Sequence, residues 1–373
     1  MRSLLSLKKT TDLWRLLLLL SLLGFLTLTY HSFWRAKHPF SQPTFSSPER
    51  YLSFNTLSAG FNNQCHEILL YVYLAYCTNR RYVYHPFAAS AWQESDQPFE
   101  RVLNMQALSS HLISTKDFDA RCQGRTVTIR VDKWPMHNRL DAFFDTLREH
   151  VNEPCLHVDT WVLDWDYAET TDLIQYWPHY RDVVLRQFQW SALVRKAAED
   201  IVAKFKKHGV TDFVSVHVRR GDYVNHCKFL FSANKPFIYW NHLPSKQKEG
   251  VQPVSQNITD FLRHCLPSPE DITIRIESLI KANAHWLSST RGLHVMHTGG
   301  SSIVSHLKQH FGKQFAFYID SDELAPSDLN VMTDMEVARR SAIFIGNGWS
   351  TTTSQVVQLR VVDDKSTGAY AFW

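Results

Sequence analysis

FVSVHVRRGDY, at residues 213–223, carries the clearest structural pattern in this 373-residue chain. Its apolar first half predicts a buried strand of an α/β sheet, and its glycine permits the turn that follows. Ligands of open α/β sheets bind where the strands end. The guanidinium groups of Arg219 and Arg220 stand there and suit phosphate oxygens, which favours recognition of a phosphorylated leaving group. For these residues alone, the alternative is a solvated loop held by an ion pair with Asp222.

A second stretch, MEVARRSAIFIGNGWSTTTSQ at residues 335–355, has the same order of strand, turn and helix. Residues 342–345 predict a short buried strand, which a glycine-rich turn and a hydroxyl-rich helix start follow. Serine and threonine at a helix start cap backbone N–H groups, and the same terminus binds anions. Because the four hydroxyls of residues 350–353 exceed what capping requires, we predict that Ser350, Thr351 and Thr352 bind a diphosphate. The alternative is an ordinary cap before the apolar run that follows.

The third informative stretch, SAGFNNQCH at residues 58–66, leads into a long apolar segment that predicts a helix over residues 63–76. Gly60 allows a tight turn, and three consecutive amide side chains, beginning with Asn62 and Asn63, stand where the helix begins. Such a turn can bind a sugar or an acceptor hydroxyl. The alternative is a simple helix cap.

Together and in this order, GFNNQ, HVRRGD and FIGNGWSTTTS resemble the three motifs of the GDP-fucose-dependent fucosyltransferases. The protein O-fucosyltransferase group, with its fungal relatives, is the most similar. The resemblance extends over residues 51–373, but only the motif blocks are close, and residues 88–212 match nothing that we can name. It implies a GT-B-type α/β glycosyltransferase fold, in which two Rossmann-like domains face a cleft that binds GDP-fucose.

The resemblance also implies roles for individual residues. Arg219 is similar to the catalytic arginine that contacts the diphosphate and assists the departure of GDP. Asn63 resembles the catalytic amide at the junction of donor and acceptor. The residues that the resemblance assigns to GDP-fucose binding are Gly60, Phe61, Asn62, His217, Arg220, Asp222, Ser350, Thr351 and Thr352.

The chain departs from the family pattern at one position of the first motif. Some protein O-fucosyltransferases have a glutamate before the motif glycine and use it as general base, whereas this chain has Ala59 there. Other members work without that glutamate, so the departure does not exclude activity. Glu67, further along the predicted helix, is the candidate substitute. The alternative is a surface carboxylate that stabilises the helix dipole.

Asp320 and Asp322 follow an apolar stretch, residues 315–319, that predicts a strand. Metal-dependent glycosyltransferases of another fold use Asp-x-Asp at a strand end to hold a nucleotide diphosphate through a divalent cation. A second set of residues that binds the diphosphate would be redundant, because the arginine and the helix start are already predicted to bind it. We therefore interpret the two aspartates as a turn and helix cap, and we predict no metal and no cofactor beyond the donor substrate.

The amino-terminal sequence predicts a targeting segment rather than part of the folded domain. Basic residues precede an apolar run at residues 16–28, an order that favours a cytoplasmic amino terminus. We predict a cytoplasmic tail at residues 1–12, a transmembrane signal anchor at 13–30 and a flexible stem at 31–48. The protein would then be a single-pass type II protein of the endoplasmic reticulum or Golgi membrane, with a lumenal catalytic part. The alternative is a cleaved signal peptide.

Cysteine usage agrees with an oxidising lumen. The six cysteines have no CxxC spacing, which disfavours zinc, and they allow up to three disulfides. We favour Cys122 with Cys155 and Cys227 with Cys265, because each pair closes an insert within one domain, although other pairings stay open. Asn257 begins the sole N-glycosylation sequon and lies in a polar stretch, so we expect it to be exposed.

The motif positions predict two Rossmann-like domains. Residues 49–209 would form the acceptor-side domain and residues 210–373 the nucleotide-sugar domain. At 44% hydrophobic residues the chain can bury two cores, and its net charge of +4, without a basic stripe, argues against a nucleic-acid partner. Besides the motif elements, we predict strands near Tyr82, Val127, Leu293 and Phe315, a helix over residues 191–208, and a carboxyl-terminal segment, residues 369–373, that packs onto a domain face.

The reaction implied by the resemblance is transfer of fucose from GDP-fucose to a hydroxyl, most closely that of Ser or Thr in a protein. Two alternatives stay open. HVRRGDY also resembles the second motif of α-1,2 and α-1,6 fucosyltransferases that act on glycans, although the third motif favours the protein-modifying branch. A catalytically silent binding protein with the same fold is the other alternative.

Overall fold

Two five-stranded sheets, each with all its strands parallel, form the framework of the computed structural model. The predicted tail, anchor and stem lie outside the residues that the structure describes. Within the described part, no helix has the length and apolar character needed to cross a membrane. The described residues are 49–55, 59–89, 96–104, 106–243, 257–284, 291–299, 301–313, 315, 317–320, 329–365 and 370–373.

The first sheet has the strand order β3-β2-β1-β5-β4. The strands predicted near Tyr82 and Val127 are present, but the central strand β1 was not predicted from the sequence. Its four residues are all buried, and a run this short gives no periodicity of its own. The strands are β1 Tyr51–Phe54, β2 Arg81–Tyr84, β3 Leu112–Ser114, β4 Val127–Ile129 and β5 Cys155–Val158.

The second sheet has the strand order β10-β9-β6-β7-β8. The carboxyl-terminal segment was expected to pack onto a domain face rather than to trail free. It does not trail free, but it joins the sheet instead of lying on its face, because its residues pair with β9 as the edge strand, Tyr370 opposite Phe344. The strands are β6 Asp212–Arg219, β7 Arg291–Thr298, β8 Phe317–Asp320, β9 Ile343–Gly346 and β10 Tyr370–Phe372.

Helices connect the strands, and both long helices predicted from the sequence are present. The helix that carries the first motif is two residues longer at its start than expected, and the second begins after Ser191, whose side chain accepts from the backbone N–H of Val194. The helices are α1 Phe61–Cys77, α2 Phe99–Val102, α3 Thr115–Cys122, α4 Arg139–Glu149, α5 Trp165–Ala168, α6 Trp177–Val183, α7 Ala192–Lys207, α8 Tyr223–Ser232, α9 Ile258–Cys265, α10 Pro269–Ala282, α11 Ser301–Phe311, α12 Asn330–Arg340 and α13 Thr351–Val362.

The largest hydrophobic cluster joins the two halves of the chain. Leu69 of α1 belongs to the same cluster as Val356 and Leu359 of α13. A second cluster, which includes Val216 and Val295, fills the space between the second sheet and helices α10 and α11. The predicted domain boundary near residue 209 stays a prediction, because helix α13 packs against elements on both sides of it.

Both favoured disulfides are present. Cys122–Cys155 joins α3 to β5, and Cys227–Cys265 joins α8 to α9. Cys65 and Cys77 are buried on α1 as free thiols, and burial raises the pKa of the Cys77 thiol to about 12. Each of the two disulfides therefore ties a helix to a neighbour in its own half of the chain.

Candidate active site

The second and third motifs meet where the order of strands reverses. In the second sheet the chain moves outward on one side from β6 to β7 and β8, and on the other side through β9 to β10. In such a sheet the crevice at the carboxyl ends of the two diverging strands is the ligand site. Strand β6 ends at Arg219 and β9 ends at Gly346, so the arginine and the glycine turn both stand at this point.

Arg219 is oriented by two neighbours at the start of α8. Its Nη2 lies 3.1 Å from the Asp222 carboxylate, and its guanidinium carbon lies 5.5 Å from the ring centre of Tyr223. The side chain of Arg219 is 18% exposed, and that of Asp222 is 48% exposed. An ion pair and a ring contact thus hold the guanidinium at a surface that a ligand can reach.

Arg220 points away from this surface. Its Nη2 donates to the carbonyl oxygen of Pro267, and burial lowers the pKa of its guanidinium. Successive side chains of a strand alternate between faces, so Arg219 and Arg220 diverge. The structure therefore brings Arg219, but not the Arg220 guanidinium, together with the third motif.

A glycine contact brings the loops after β6 and β7 together. Gly221 and Gly299 both have positive φ, at 69° and 66°. A Cβ on Gly299 would lie 3.3 Å from the Cα of Gly221. Both the left-handed backbone and the close approach favour glycine here, which fixes the path of the loop that follows Arg219.

His217 connects β6 to the start of α13. Its Nδ1 is 2.9 Å from Thr353 Oγ1, which also accepts the backbone N–H of Asn347 at 3.0 Å. Burial, and secondarily the charge of Arg219, lowers the pKa of His217 to about 3. The imidazole is therefore neutral at physiological pH, and it positions the third motif rather than supplying a proton.

The helix start of the third motif is built differently from an ordinary cap. Ser350 occupies the N-cap position, but its side chain makes no capping hydrogen bond. The hydroxyls of Thr352 and Thr353 instead bond to the other motifs. A Cβ on Gly346 would lie 2.5 Å from the Thr353 methyl group, so the glycine permits the close contact between β9 and α13. The amino terminus of α13, with its partial positive charge, lies beside the end of β6.

The first motif joins the same arrangement from the other half of the chain. Asn62 donates through Nδ2 to Thr352 Oγ1 at 2.6 Å. His66 bonds through Nε2 to the carbonyl of Thr351 at 3.1 Å, and its ring stacks on Tyr239. Sequence reasoning did not assign a role to His66, although it lies only three residues beyond Asn63. All three motifs therefore converge on the first turn of α13.

Two amide oxygens of the first motif are unsatisfied. Asn62 Oδ1 and Asn63 Oδ1 are buried, and neither has a hydrogen-bond partner among the residues that the structure describes. Leaving a buried acceptor unpaired costs about 1–3 kcal/mol. A ligand hydroxyl that donates to one of these oxygens would recover this energy, which fits a position at the junction of donor and acceptor.

The other predicted residues of the first motif lie inward. Gly60 is the N-cap of α1 with an ordinary φ of −56°, and Phe61 packs against Phe87 with ring centres 4.9 Å apart. Glu67 is 2% exposed, and its Oε1 accepts from the Tyr71 hydroxyl at 3.0 Å. The alternative that Glu67 is a surface carboxylate is therefore wrong. Its carboxylate is enclosed in the core and bonded to a tyrosine of the same helix, and its role as general base stays a prediction.

Two further sequence predictions concern sites outside the motifs. Asn257 is exposed as expected, and its Oδ1 accepts from the backbone N–H of Thr259 at the start of α9. Asp320 ends β8, whereas Asp322 lies outside the described residues. Within the described part of the chain, no three His, Cys, Asp or Glu side chains form a group that could hold a metal ion. Glycosylation and metal independence stay predictions.

The sequence profile of the family described as GDP-fucose protein O-fucosyltransferase matches residues 51–363. The chain belongs to this family. It is accordingly a GDP-fucose-dependent fucosyltransferase. No curated protein matches the chain in sequence.

Solved structures of POFUT1 have the same fold as this fucosyltransferase. POFUT1 in complex with GDP aligns with a TM-score of 0.60 at 15% identity, over 87% of this chain and 98% of that one. POFUT1 in complex with GDP-fucose gives the same values. The apo form of POFUT1 aligns with a TM-score of 0.55 at 14% identity, over 88% of this chain and 99% of that one. The α/β fold with two parallel sheets is therefore GT-B-like.

Proposed function

We propose that the protein transfers fucose from GDP-fucose to the hydroxyl of a Ser or Thr side chain in a protein acceptor. The observation that carries the proposal is the convergence of three motifs on the start of α13. Arg219 stands at the end of β6, His217 bonds to Thr353, and Asn62 bonds to Thr352. The family description and the POFUT1 complexes support GDP-fucose as donor and a protein as acceptor.

In this mechanism the protein stabilises the charge of the leaving group. The bond between fucose C1 and the β-phosphate oxygen breaks with its electron pair going to GDP, the acceptor oxygen bonds to C1, and the acceptor proton passes to solvent water. Arg219 and the amino terminus of α13 are directed at the diphosphate, where negative charge accumulates in the transition state. His217, being neutral, keeps these two groups in register.

Asn63 orients the acceptor in the proposed site. Its unpaired Oδ1 accepts a hydrogen bond from the acceptor hydroxyl and so directs an oxygen lone pair at C1. A general base must reach the proton that it removes. Glu67, enclosed and bonded to Tyr71, does not meet that requirement, so the proposed mechanism does not use it.

A fucose-transfer assay with two kinds of acceptor tests the proposal. The full chain is incubated with GDP-fucose and either a set of folded secreted protein domains or a set of free oligosaccharides, and products are identified by mass spectrometry. We expect fucose on a Ser or Thr of a protein domain. Transfer to oligosaccharides alone would assign the protein to the glycan-modifying alternative. Saturable GDP binding without transfer to either set would assign it to the silent alternative.

We further propose a lumenal location, with the chain anchored in the endoplasmic reticulum or Golgi membrane. Two disulfides and an exposed sequon at Asn257 favour an oxidising compartment. Protease protection in intact microsomes tests the topology. Glycosidase treatment should increase the electrophoretic mobility of the native protein, and Asn257→Gln should abolish this change. A chain digested by protease outside intact vesicles would contradict the proposed orientation.

A further inference from the structure

A second crevice lies at the carboxyl edge of the first sheet. The strand order of this sheet reverses between β1 and β5, which makes the ends of these strands a second ligand position. A pocket of about 520 Å³ occupies it, and we call it the N-terminal pocket. Small-molecule sites have volumes of about 300–1,000 Å³. Among the described residues, those of the three motifs do not line it. Its polar and exposed aromatic lining residues are Ser53, Asn55, His85, Thr115, Asp119, His157 and Trp161.

One imidazole of the pocket is held by a serine hydroxyl. His157 Nδ1 is 2.8 Å from Ser53 Oγ, and Ser53 Oγ is 3.3 Å from the carbonyl oxygen of Leu156. The Ser53 proton serves one of these two contacts at a time, so Ser53 Oγ either accepts from His157 Nδ1–H or donates to Nδ1. The Nε2 of the neutral ring correspondingly accepts or donates one hydrogen bond.

His85 repeats this arrangement with different partners. Thr115 Oγ1 donates to the carbonyl of Tyr84 at 3.0 Å and lies 3.2 Å from His85 Nδ1. Burial lowers the pKa of both His85 and His157, and the charge of His157 lowers that of His85 further. Both rings are therefore neutral at physiological pH, and the Nε2 of each is a hydrogen-bonding group that a ligand hydroxyl, which both donates and accepts, can meet in either tautomer.

The rest of the lining combines a carboxylate, an amide and an aromatic ring. The exposed Asp119 carboxylate is close enough to His85 to act on its pKa. One of the two N–H groups on Asn55 Nδ2 donates to Asp159 at 2.8 Å. Trp161 is 45% exposed and lines the pocket. A ligand that fits this lining supplies groups that both donate and accept hydrogen bonds, together with a flat apolar face.

A neutral pyranose has these properties. Its hydroxyls donate to the carboxylate and donate to or accept from the two imidazoles, and the C–H face of its ring stacks on the indole. Anions are disfavoured, because Asp119 carries negative charge and neither imidazole carries a compensating positive charge.

We propose that the N-terminal pocket binds a neutral pyranose unit. Resting on the proposed function, this makes the acceptor a protein that already carries a sugar, and the pocket selects it. The two places where the order of strands reverses then bind different substrates. The site at β6 and β9 takes the donor, and the site at β1 and β5 takes the sugar of the acceptor.

Saturation-transfer NMR on the full chain, in a detergent without a sugar headgroup, tests this proposal directly. The probes are the methyl pyranosides of glucose, galactose, mannose and N-acetylglucosamine, with sialic acid as the anionic probe and n-butylammonium as a mimic of lysine. We expect saturation transfer to the ring protons of at least one neutral pyranoside, unchanged by saturating GDP. Transfer only to n-butylammonium or sialic acid, or loss of the sugar signal on adding GDP, would overturn the proposal.

Matched variants locate the binding. Trp161→Ala should lower the association constant at least about fivefold, since stacking on the indole is lost. Phe229→Ala removes an aromatic ring that is 54% exposed elsewhere and should change nothing. His85→Ala should weaken sugar binding, whereas His137→Ala, at a side chain 81% exposed, should not. Equal effects of the pocket variants and their controls would overturn the assignment to this pocket.

Stabilisation by GDP, measured on the same variants, separates the two proposals. If every variant is still stabilised by GDP, its fold and donor site are intact, and lost sugar binding then reports on the pocket alone. Absence of any pyranoside binding in a protein that GDP stabilises would overturn the sugar site and leave the fucosyltransferase site standing. Pyranoside binding in a protein that GDP does not stabilise would support the pocket and contradict the donor site.

Discussion

At the scale of single residues, the two adjacent arginines have different roles. Arg219 is held by Asp222 and Tyr223 at the end of β6, whereas Arg220 is bonded to the carbonyl of Pro267. The alternation of side chains along a strand predicts this divergence from the sequence, and it does not by itself say which arginine faces the ligand. The bond from His217 to Thr353 decides it, because His217 shares a face with Arg219.

Lysine variants of both arginines test this assignment. Arg219→Lys keeps the charge but loses the planar fork, and turnover should fall roughly a hundredfold or more, about 3 kcal/mol of transition-state stabilisation. Arg220→Lys should cost about 1 kcal/mol of folding stability through the bond to Pro267 and leave turnover nearly unchanged. Turnover and unfolding are measured for both variants. A larger loss of turnover at Arg220 would mean that the wrong arginine has been assigned.

Glu67 gives a second test at this scale. Glu67→Gln keeps an oxygen that accepts from the Tyr71 hydroxyl but removes the basic carboxylate. A general base contributes roughly 10²–10⁴-fold to rate, so a variant that retains turnover within about fivefold is not missing one. We expect that retention, measured with saturating donor. A hundredfold loss in a variant of unchanged stability would restore Glu67 as the base.

At the scale of elements, the start of α13 depends on one hydroxyl. Thr353 Oγ1 bonds to His217 and accepts from the backbone N–H of Asn347. Thr353→Val is similar in shape and leaves both partners buried without a bond, at a cost of about 1–3 kcal/mol for each. Thr353→Ser keeps the hydroxyl.

Denaturant unfolding and GDP affinity of the two variants test this role. Thr353→Val should be destabilised and bind GDP more weakly, because the helix start loses its register with β6, and Thr353→Ser should differ little from the native protein. Equal behaviour of the two variants would show that the methyl group of Thr353, rather than its hydroxyl, matters at this position.

Elements with long periodic patterns were predicted close to their observed bounds, whereas only some of the short strands were predicted. Helices α1 and α7 and strand β6 were expected close to their observed bounds, since each has a long apolar pattern. Strands β1 and β3, with four and three residues, have none. The bond between Asn62 and Thr352 spans 290 residues, and only the folded chain reveals it. His85 and His157 were missed because their hydroxyl partners come from other strands and helices.

At the scale of the whole molecule, the site depends on both halves of the chain. Helix α13 lies between β9 and β10 of the second sheet in the chain, yet it packs against α1 and supplies the hydroxyls that join the three motifs. A ligand bound at its start therefore contacts groups positioned by both sheets. Binding of the donor should accordingly stabilise the fold as a whole rather than one half of it.

Differential stabilisation by nucleotides tests this coupling. GDP bound only to the native state should raise the unfolding free energy by about 2.7 kcal/mol at a hundredfold excess over Kd, and UDP at the same concentration should not. The discrimination follows from membership of a GDP-fucose family, and the stabilisation follows from the shared site. The unfolding of the full chain is followed by tryptophan fluorescence, with Arg219→Lys as the weakened variant and Arg220→Lys as its matched control. Equal stabilisation by UDP and GDP would contradict the donor assignment, and separate transitions, of which GDP shifts only one, would contradict the coupling of the two halves through α13.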